Sequence, residues 1–302
     1  MELIRNLYNI KPKHRSCIAT IGNFDGVHLG HQAIIKQLNQ WKAPSLVICF
    51  EPHPAEYFNP ENSPSRLTRL REKLFYFAQY GIDYVLCLPF NKQLSEIPPH
   101  DFIQNILIKA LGIQHLVIGQ DFQFGHNRKG DIQLLENFFT ITQAEEMSYK
   151  DKKISSTRIR TALQHGDLPL AKHLLGRPYS IQGRVMHGDQ RGRQIGFPTA
   201  NIHLGRKRAP LSGVFAVSAN GMPGVANIGS RPTVDGTRTV LEVHLFDFCQ
   251  SIYHQHLQVE FLQKLRDERR FDSLAALTHQ ITEDAAQAKR FIYNFPSQAR
   301  TL

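Results

Sequence analysis

The 302-residue sequence has no apolar run approaching the ~20 residues that a membrane-spanning helix needs. Its opening stretch, Met1 to Lys13, is polar and lacks the apolar centre of a secretory signal. These absences predict a soluble, cytoplasmic protein with no membrane partner. Cysteine is scarce: Cys17, Cys49, Cys87 and Cys249 lie far apart, with no CxxC and no Cys/His zinc spacing. That excludes a disulfide scaffold or a zinc ribbon, and the apolar surroundings of the first three predict buried, reduced thiols. The nucleotide fingerprints GxxxxGK[ST] and GxGxxG are also missing. Acidic residues are outnumbered, 26 Asp and Glu against 36 Lys and Arg, giving a formal net charge of +10. A basic balance implies an anionic partner. The densest basic clusters, Arg206 to Arg208 and Arg266 to Arg270, lack interleaved aromatic platforms, which favours phosphorylated small molecules over nucleic acid.

With 41% hydrophobic and 21% charged residues, the chain has material for two ordinary cores. Its first half alternates short apolar strands with amphipathic helices. Strands are predicted at Ser16–Gly22, Pro44–Phe50, Asp83–Leu88 and His115–Gly119. Helices are predicted at Leu29–Trp41, Arg66–Tyr80, Pro99–Leu111, Ser156–Gln164 and Leu168–Leu175. Such alternation implies an α/β domain with a parallel sheet covered on both faces. After Pro178 the texture turns to closely spaced β segments: Tyr179–His187, Gly213–Ala219, Val225–Gly229, Thr239–Phe246 and Leu257–Leu262. These predict a small antiparallel barrel. Apolar residues at Leu274, Leu277, Ile281, Ala285, Ala288 and Ile292 then predict a terminal helix packed on it. The expected domains are therefore 1–178 and 179–302.

Gly22-Asn23-Phe24-Asp25-Gly26-Val27-His28-Leu29-Gly30-His31 stands between the first predicted strand and helix. In an open α/β sheet that is where nucleotides bind. Glycines admit a tight turn and close approach of phosphate to backbone N–H groups, and the helix start adds partial positive charge. His28 and His31, three residues apart, can face one phosphate and stabilise charge developing there. A glycine turn with two surface histidines is the plain alternative, and HxGH directly after an apolar strand favours the nucleotide site.

The decamer resembles the signature of the bacterial FAD synthetases, within the HxGH nucleotidylyltransferase superfamily. Three further segments match that family: Phe50-Glu51-Pro52-His53-Pro54, Gly119-Gln120-Asp121-Phe122-Gln123-Phe124-Gly125 and Ile154-Ser155-Ser156-Thr157-Arg158-Ile159-Arg160. The resemblance implies a Rossmann-like nucleotidylyltransferase domain. In it Gly22, Asn23, Phe24, Asp25 and Gly26 bind nucleotide, and Ser156, Thr157 and Arg160 clamp the triphosphate or pyrophosphate. It further implies that Asp121 and Asp167 contact nucleotide or flavin; loop capping is an equal reading for Asp121. Ser156 and Thr157 are also good helix N-cap types, and His53-Pro54 reads as a turn.

In the second half, His187-Gly188-Asp189-Gln190-Arg191-Gly192-Arg193-Gln194-Ile195-Gly196 leads into Phe197-Pro198-Thr199-Ala200-Asn201. Joined to PTAN, this loop resembles the riboflavin kinase motif. The resemblance implies that Gly188, Arg193, Gly196 and the loop amides hold ATP phosphates, while Thr199 and Asn201 ligate Mg²⁺ through hard oxygens. Glu242 interrupts an apolar strand and points opposite to Leu241 and Val243. Alone it reads as a solvent-facing carboxylate; the kinase resemblance makes it the general base for the ribityl hydroxyl. Arg266, before the terminal helix, becomes a flavin-site candidate. Phe248-Cys249-Gln250-Ser251-Ile252-Tyr253-His254 departs from the family's glycine- and acid-bearing turn. Together the two halves imply a bacterial bifunctional enzyme using riboflavin, ATP and Mg²⁺ and producing FMN and FAD. A tRNA-binding protein sharing HxGH would need a KMSKS-type lysine loop, which is missing. A kinase with a decayed first domain is disfavoured because His28, His31, Ser156, Thr157 and Arg160 are all present.

Overall fold

Alternation along the strands of the first half builds two cores on one sheet. The computed structural model describes residues 1–187, 196–205, 208–233 and 236–294. Its contacts divide the chain into two compact units, one of residues 1–64 and 68–155, the other of 65–67 and 156–302. In the first unit, strands β1 (Glu2–Arg5), β2 (Ile18–Ile21), β3 (Ser45–Glu51), β4 (Tyr84–Pro89), β5 (His115–Gly119) and β6 (Thr140–Ala144) form a sheet in the order β1-β4-β3-β2-β5-β6. Every pairing in it is parallel.

Successive strand side chains face opposite ways. Ala19, Ile21, Leu46, Ile48, Leu86, Leu88, Leu116 and Ile118 therefore enter one core with Phe102, Ile103 and Ile106. Val47, Cys49, Val85, Cys87 and Val117 enter the other, with Ile35, Leu38, Tyr76 and Phe77 from the helices Leu29–Leu38 and Leu70–Gln79. Cys17, Cys49 and Cys87 are buried free thiols, as expected, and Cys249 is exposed. The chain runs outward from β2 through β3 and β4, then returns to β5 on β2's other side, so the order reverses between β2 and β5. At such a reversal a crevice opens beyond the strands' carboxyl ends.

The sheet has two more strands than the sequence predicts. Both are edge strands: β1 buries only Ile4 and β6 only Ala144, so neither shows a continuous apolar run. The predicted helix Pro99–Leu111 is present, with its Phe102–Ala110 portion wound as a π-helix. A two-stranded hairpin, β7 (Ser148–Tyr149) with β8 (Lys152–Lys153), completes the unit.

In the second unit, β9 (Ser180–Met186), β10 (Ala200–His203), β11 (Gly213–Ala219), β12 (Met222–Thr233), β13 (Gly236–Leu245) and β14 (His256–Arg266) close an antiparallel barrel in the order β10-β13-β12-β11-β14-β9. The sequence missed β10, four residues whose only buried side chain is Ile202. The terminal helix Leu274–Asn294 lays Ala285, Ala288 and Ile292 on Val214, Ala216, Val225 and Phe246. Helices Ser156–Gln164 and Leu168–Leu175 group with the barrel, and the second packs on β14. None of the helices among the described residues is long and apolar enough to cross a membrane.

The barrel and terminal helix are joined by a buried ion pair. Arg266 Nε donates to Asp284 Oδ1 at 3.0 Å and Nη2 to Oδ2 at 2.8 Å, with the Asp284 side chain only 4% exposed. Removing one partner of a buried pair strands the other charge, at a cost of ~3–5 kcal/mol. Arg266 is 19% exposed and keeps some hydration, so Asp284→Ala is expected to cost about 3 kcal/mol. Urea unfolding followed by far-UV circular dichroism measures this, and stability within 0.5 kcal/mol of wild type, on the order of a surface change, contradicts it.

Candidate active sites

The loop after β2 leaves the ordinary backbone regions. Gly26 has φ 85°, as glycine permits, but Phe24 (φ 49°) and Val27 (φ 41°) are also left-handed. For a β-branched residue that is a true outlier, which persists only when its surroundings hold it. They do. Asp25 Oδ1 accepts from Thr68 N at 2.9 Å and Thr68 Oγ1 at 3.2 Å, and Thr68 Oγ1 accepts from Gly26 N at 2.8 Å. Lys73 Nζ donates to Asn23 O at 2.8 Å, and Gln32 Nε2 to Val27 O at 2.9 Å. Gly22 N donates to Ile48 O at 3.0 Å, extending the sheet to the start of the loop.

The loop delivers His28 as N-cap of the helix Leu29–Leu38, its Nδ1 accepting from His31 N at 3.4 Å. An accepting Nδ1 leaves Nε2 to carry the proton and to donate. The His28 and His31 rings stack at 3.6 Å, and Phe24 lies 4.9 Å from His31. A side chain at Gly30 would come within 3.2 Å of the His28 ring, so HxGH needs its glycine to seat the first imidazole. Asp25, predicted to bind nucleotide, is 3% exposed and turned inward on Thr68; its carboxylate builds the loop.

Around the same strand ends, Phe50, Tyr57, Phe58 and Phe90 form an edge-to-face group with centroids 5.2 to 5.8 Å apart, and Phe58 is 67% exposed. His53-Pro54 begins the short helix Pro54–Phe58 rather than a simple turn, because His53 Nδ1 caps Ala55 N at 3.1 Å. After β5, Phe122 and Phe124 stack at 5.7 Å. Asp121 pairs with Lys153 of β8, which also meets Glu146 at 2.7 Å. These two carboxylates hold the Lys153 ammonium above the usual lysine range.

Ser156, Thr157 and Arg160 lie on the helix Ser156–Gln164 of the second unit. The helix begins at Ser156, so Ser156 and Thr157 occupy its first turn instead of the cap. First-turn N–H groups have no partner within the helix and suit an anion. Arg160 Nε donates to Ser65 O at 2.7 Å. Asp167, the other expected nucleotide or flavin contact, is exposed and caps the helix Leu168–Leu175 by accepting from Leu170 N at 3.0 Å.

On the barrel, antiparallel register sets Asn201 of β10 opposite Glu242 of β13, and Glu242 opposite Asn227 of β12. Directly opposed residues share a face. Their neighbours Ile202, Leu241, Val243, Ala226 and Ile228 are buried, so this polar row runs across the barrel's outer face. Its far end is Val214, opposite Asn227 and beneath the terminal helix. His244, two residues past Glu242, donates from Nδ1 to Pro198 O at 2.9 Å and fixes the peptide entering Thr199. Gly196 has φ 82°, and among the described residues nothing lies within 4 Å of where a side chain would start. Gly188 and Arg193 lie outside the described residues. The guanidinium of Arg266, the flavin-site candidate, is engaged by Asp284. The unusual Phe248–His254 turn closes on β9 through His254 N to Val185 O, 2.9 Å, and Tyr253 stacks on His187 at 3.9 Å.

Sequence reading missed Thr68, Lys73, Asn227, His244 and the exposed aromatic group. Each is an ordinary residue for its element, and only pairing brings it to a site.

Comparison with known proteins finds two family models, one after the other along the chain. The FAD synthetase family model matches residues 10–158 and the riboflavin kinase family model residues 175–292. The bifunctional riboflavin kinase/FMN adenylyltransferase of Pseudomonas fluorescens is 47% identical over 303 residues, covering 96% of this chain and 97% of that one. Its Escherichia coli K12 counterpart is 45% identical over 306 residues, covering 96% and 98%. A crystal structure described as a macrolide-efflux protein from Streptococcus pneumoniae superposes with a TM-score of 0.81 at 31% identity, over 94% of this chain and 97% of that one. With both family models matched in order and near half-identity over almost the full length, this chain belongs to the bifunctional riboflavin kinase/FMN adenylyltransferase family.

Proposed function

We propose that residues 179–302 phosphorylate riboflavin to FMN with ATP, and that residues 1–178 transfer AMP from a second ATP onto FMN, releasing pyrophosphate and giving FAD. The chain is a riboflavin kinase and an FMN adenylyltransferase. One observation carries the residue assignment: the register that sets Asn201, two residues past Thr199, and Asn227 on either side of Glu242.

The two steps ask different things of the protein. In the kinase step the attacking group is the ribityl 5′-hydroxyl, which is a poor nucleophile until its proton is removed. Glu242 is the base for that proton, while the loop from Gly188 through Arg193 to Gly196 holds the ATP phosphates. His244 positions Thr199 through the Pro198 carbonyl. The Thr199 hydroxyl and Asn201 amide oxygen, beside the Glu242 carboxylate, form the hard-oxygen set that Mg²⁺ takes, so Thr199 and Asn201 would hold the metal. When bound, Mg²⁺ neutralises charge on the transferring phosphoryl group.

In the adenylyl step the nucleophile is the FMN phosphate, already an anion at neutral pH, so no base is required. What remains is in-line positioning and stabilisation of charge at the α-phosphorus. Gly22, Asn23, Phe24 and Gly26 line the loop, with Asp25 holding it from within. His28 and His31 donate to phosphate oxygens, and Ser156, Thr157 and Arg160 take the pyrophosphate portion. The exposed aromatic faces of Phe58 and its neighbours suit a planar isoalloxazine ring.

Purified protein given riboflavin, ATP and Mg²⁺ is expected to form FMN and then FAD, with two ATP consumed per FAD. Chelation of Mg²⁺ stops both steps. Chromatographic separation of the flavins is the measurement, and absence of both products with ATP and Mg²⁺ in excess refutes the reading.

Replacing His28 and His31 together with Ala should abolish FAD formation while FMN still accumulates. Loss of one such donor typically costs ~10²–10³ in rate. Equal loss of both activities in the two half-reaction assays would argue against a role in chemistry.

Glu242→Gln keeps size and hydrogen bonding but cannot take a proton. Kinase turnover should fall by ~10²–10⁴. Adenylylation of supplied FMN should be nearly unchanged on the same preparation. Wild-type kinase turnover would return Glu242 to a solvent-facing strand position.

A further inference from the structure

One buried cation has no part in the steps above. Lys73, on the helix Leu70–Gln79, is 2% exposed, and its Nζ donates to the main-chain carbonyl of Asn23 at 2.8 Å. An ammonium removed from water loses far more hydration than one neutral carbonyl returns. Apolar side chains of similar volume commonly serve stability as well or better at such positions. Stability therefore does not account for a lysine here.

The contact orients a peptide. In a planar trans peptide the C=O and the following N–H point to opposite sides. With Asn23 O drawn to Lys73, the Phe24 N–H must face away from Lys73. Among the described residues no acceptor meets that N–H. A second polar atom of the same segment is in the same condition: Asn23 Oδ1 is buried without a partner among the described residues. Thr20 Oγ1, on β2 just upstream, is a third. The segment thus presents unpaired polar groups beside the HxGH helix start, where buried groups are ordinarily satisfied.

We propose that Lys73 is a positioning residue for FMN adenylylation, its buried ammonium turning the Asn23–Phe24 peptide so that the Phe24 N–H is presented to the reacting phosphate oxygens. This rests on the adenylyltransferase reading of the first unit. The left-handed backbone of Phe24 makes the peptide's orientation a choice that must be held, and Lys73 holds it from below.

Lys73→Met removes the charge and keeps the length. The expected kcat for adenylylation of supplied FMN is lower by about 10²-fold, the scale for one misplaced preorganised donor. KM for FMN changes little, and the riboflavin kinase half-reaction on the same chain is unchanged. Because an apolar side chain relieves the buried charge, the melting temperature stays at the wild-type value or rises. That combination separates positioning from support of the fold. Wild-type kcat in the variant overturns the inference. So does a loss of kcat matched by a lower melting temperature and folded fraction, or a change carried by KM alone. If the wild-type protein itself fails to adenylylate FMN, the functional reading falls with it; if only the variant behaves as wild type, only the role of Lys73 falls.

Discussion

The hydrogen bonds that close Thr68 around Asp25 and Gly26 hold the backbone on which the proposed adenylyl site depends. Phe24 and Val27 sit in a conformation that costs of order 1–3 kcal/mol at each non-glycine residue. Neutral hydrogen bonds return ~0.5–1.5 kcal/mol each, and those to a charged group ~1.5–3. Three contacts to Thr68, two of them on the Asp25 carboxylate, and one from Gln32 are therefore of the size needed to hold the turn. The turn aims the helix start, the helix start seats His28 as its cap, and the His28 ring stacks on His31. The histidines stand where they do because a threonine forty residues later reaches back to the loop.

The barrel solves its problem with register in place of strain. The carboxylate proposed as base, Glu242, and the amide proposed to hold the metal, Asn201, lie side by side while their strand neighbours stay in the core. Antiparallel pairing does this at no conformational cost, since opposed residues share a face and the next residues share the other. The row Asn201, Glu242, Asn227 and Val214 is polar where it faces solvent and apolar where the terminal helix covers it. The contrast follows the nucleophiles: a hydroxyl requires a base, whereas a phosphate anion requires positioned donors.

Three charged residues drawn into the sites by resemblance also make contacts that build the fold. Asp25 holds the motif loop, Asp167 caps a helix, and Arg266 pairs with buried Asp284. In a family motif, a residue that shapes the site and one that touches the ligand look alike in sequence. They differ in which way the side chain turns, which is decided by its partner: distant for Asp25 (Thr68) and Arg266 (Asp284), local for Asp167 (Leu170 N–H).

Local pattern alone determined much of this protein. The four central strands, the helices between them, the change to β texture near Pro178 and the terminal helix were legible, because apolar periodicity records which face is buried. The glycine-bearing turn from the first long strand into the His28–His31 helix start was legible as well, because its residue types mark a strand-to-helix connection. The edge strands β1 and β6 and the four-residue β10 were not, since strands that bury one side chain leave no periodic trace. Tertiary structure alone decided the reversal of strand order between β2 and β5, the neighbours of Glu242 and the contacts of Lys73 and His244. Those depend on which strands pair and which helix lies beneath a loop, and no local window of sequence contains both partners.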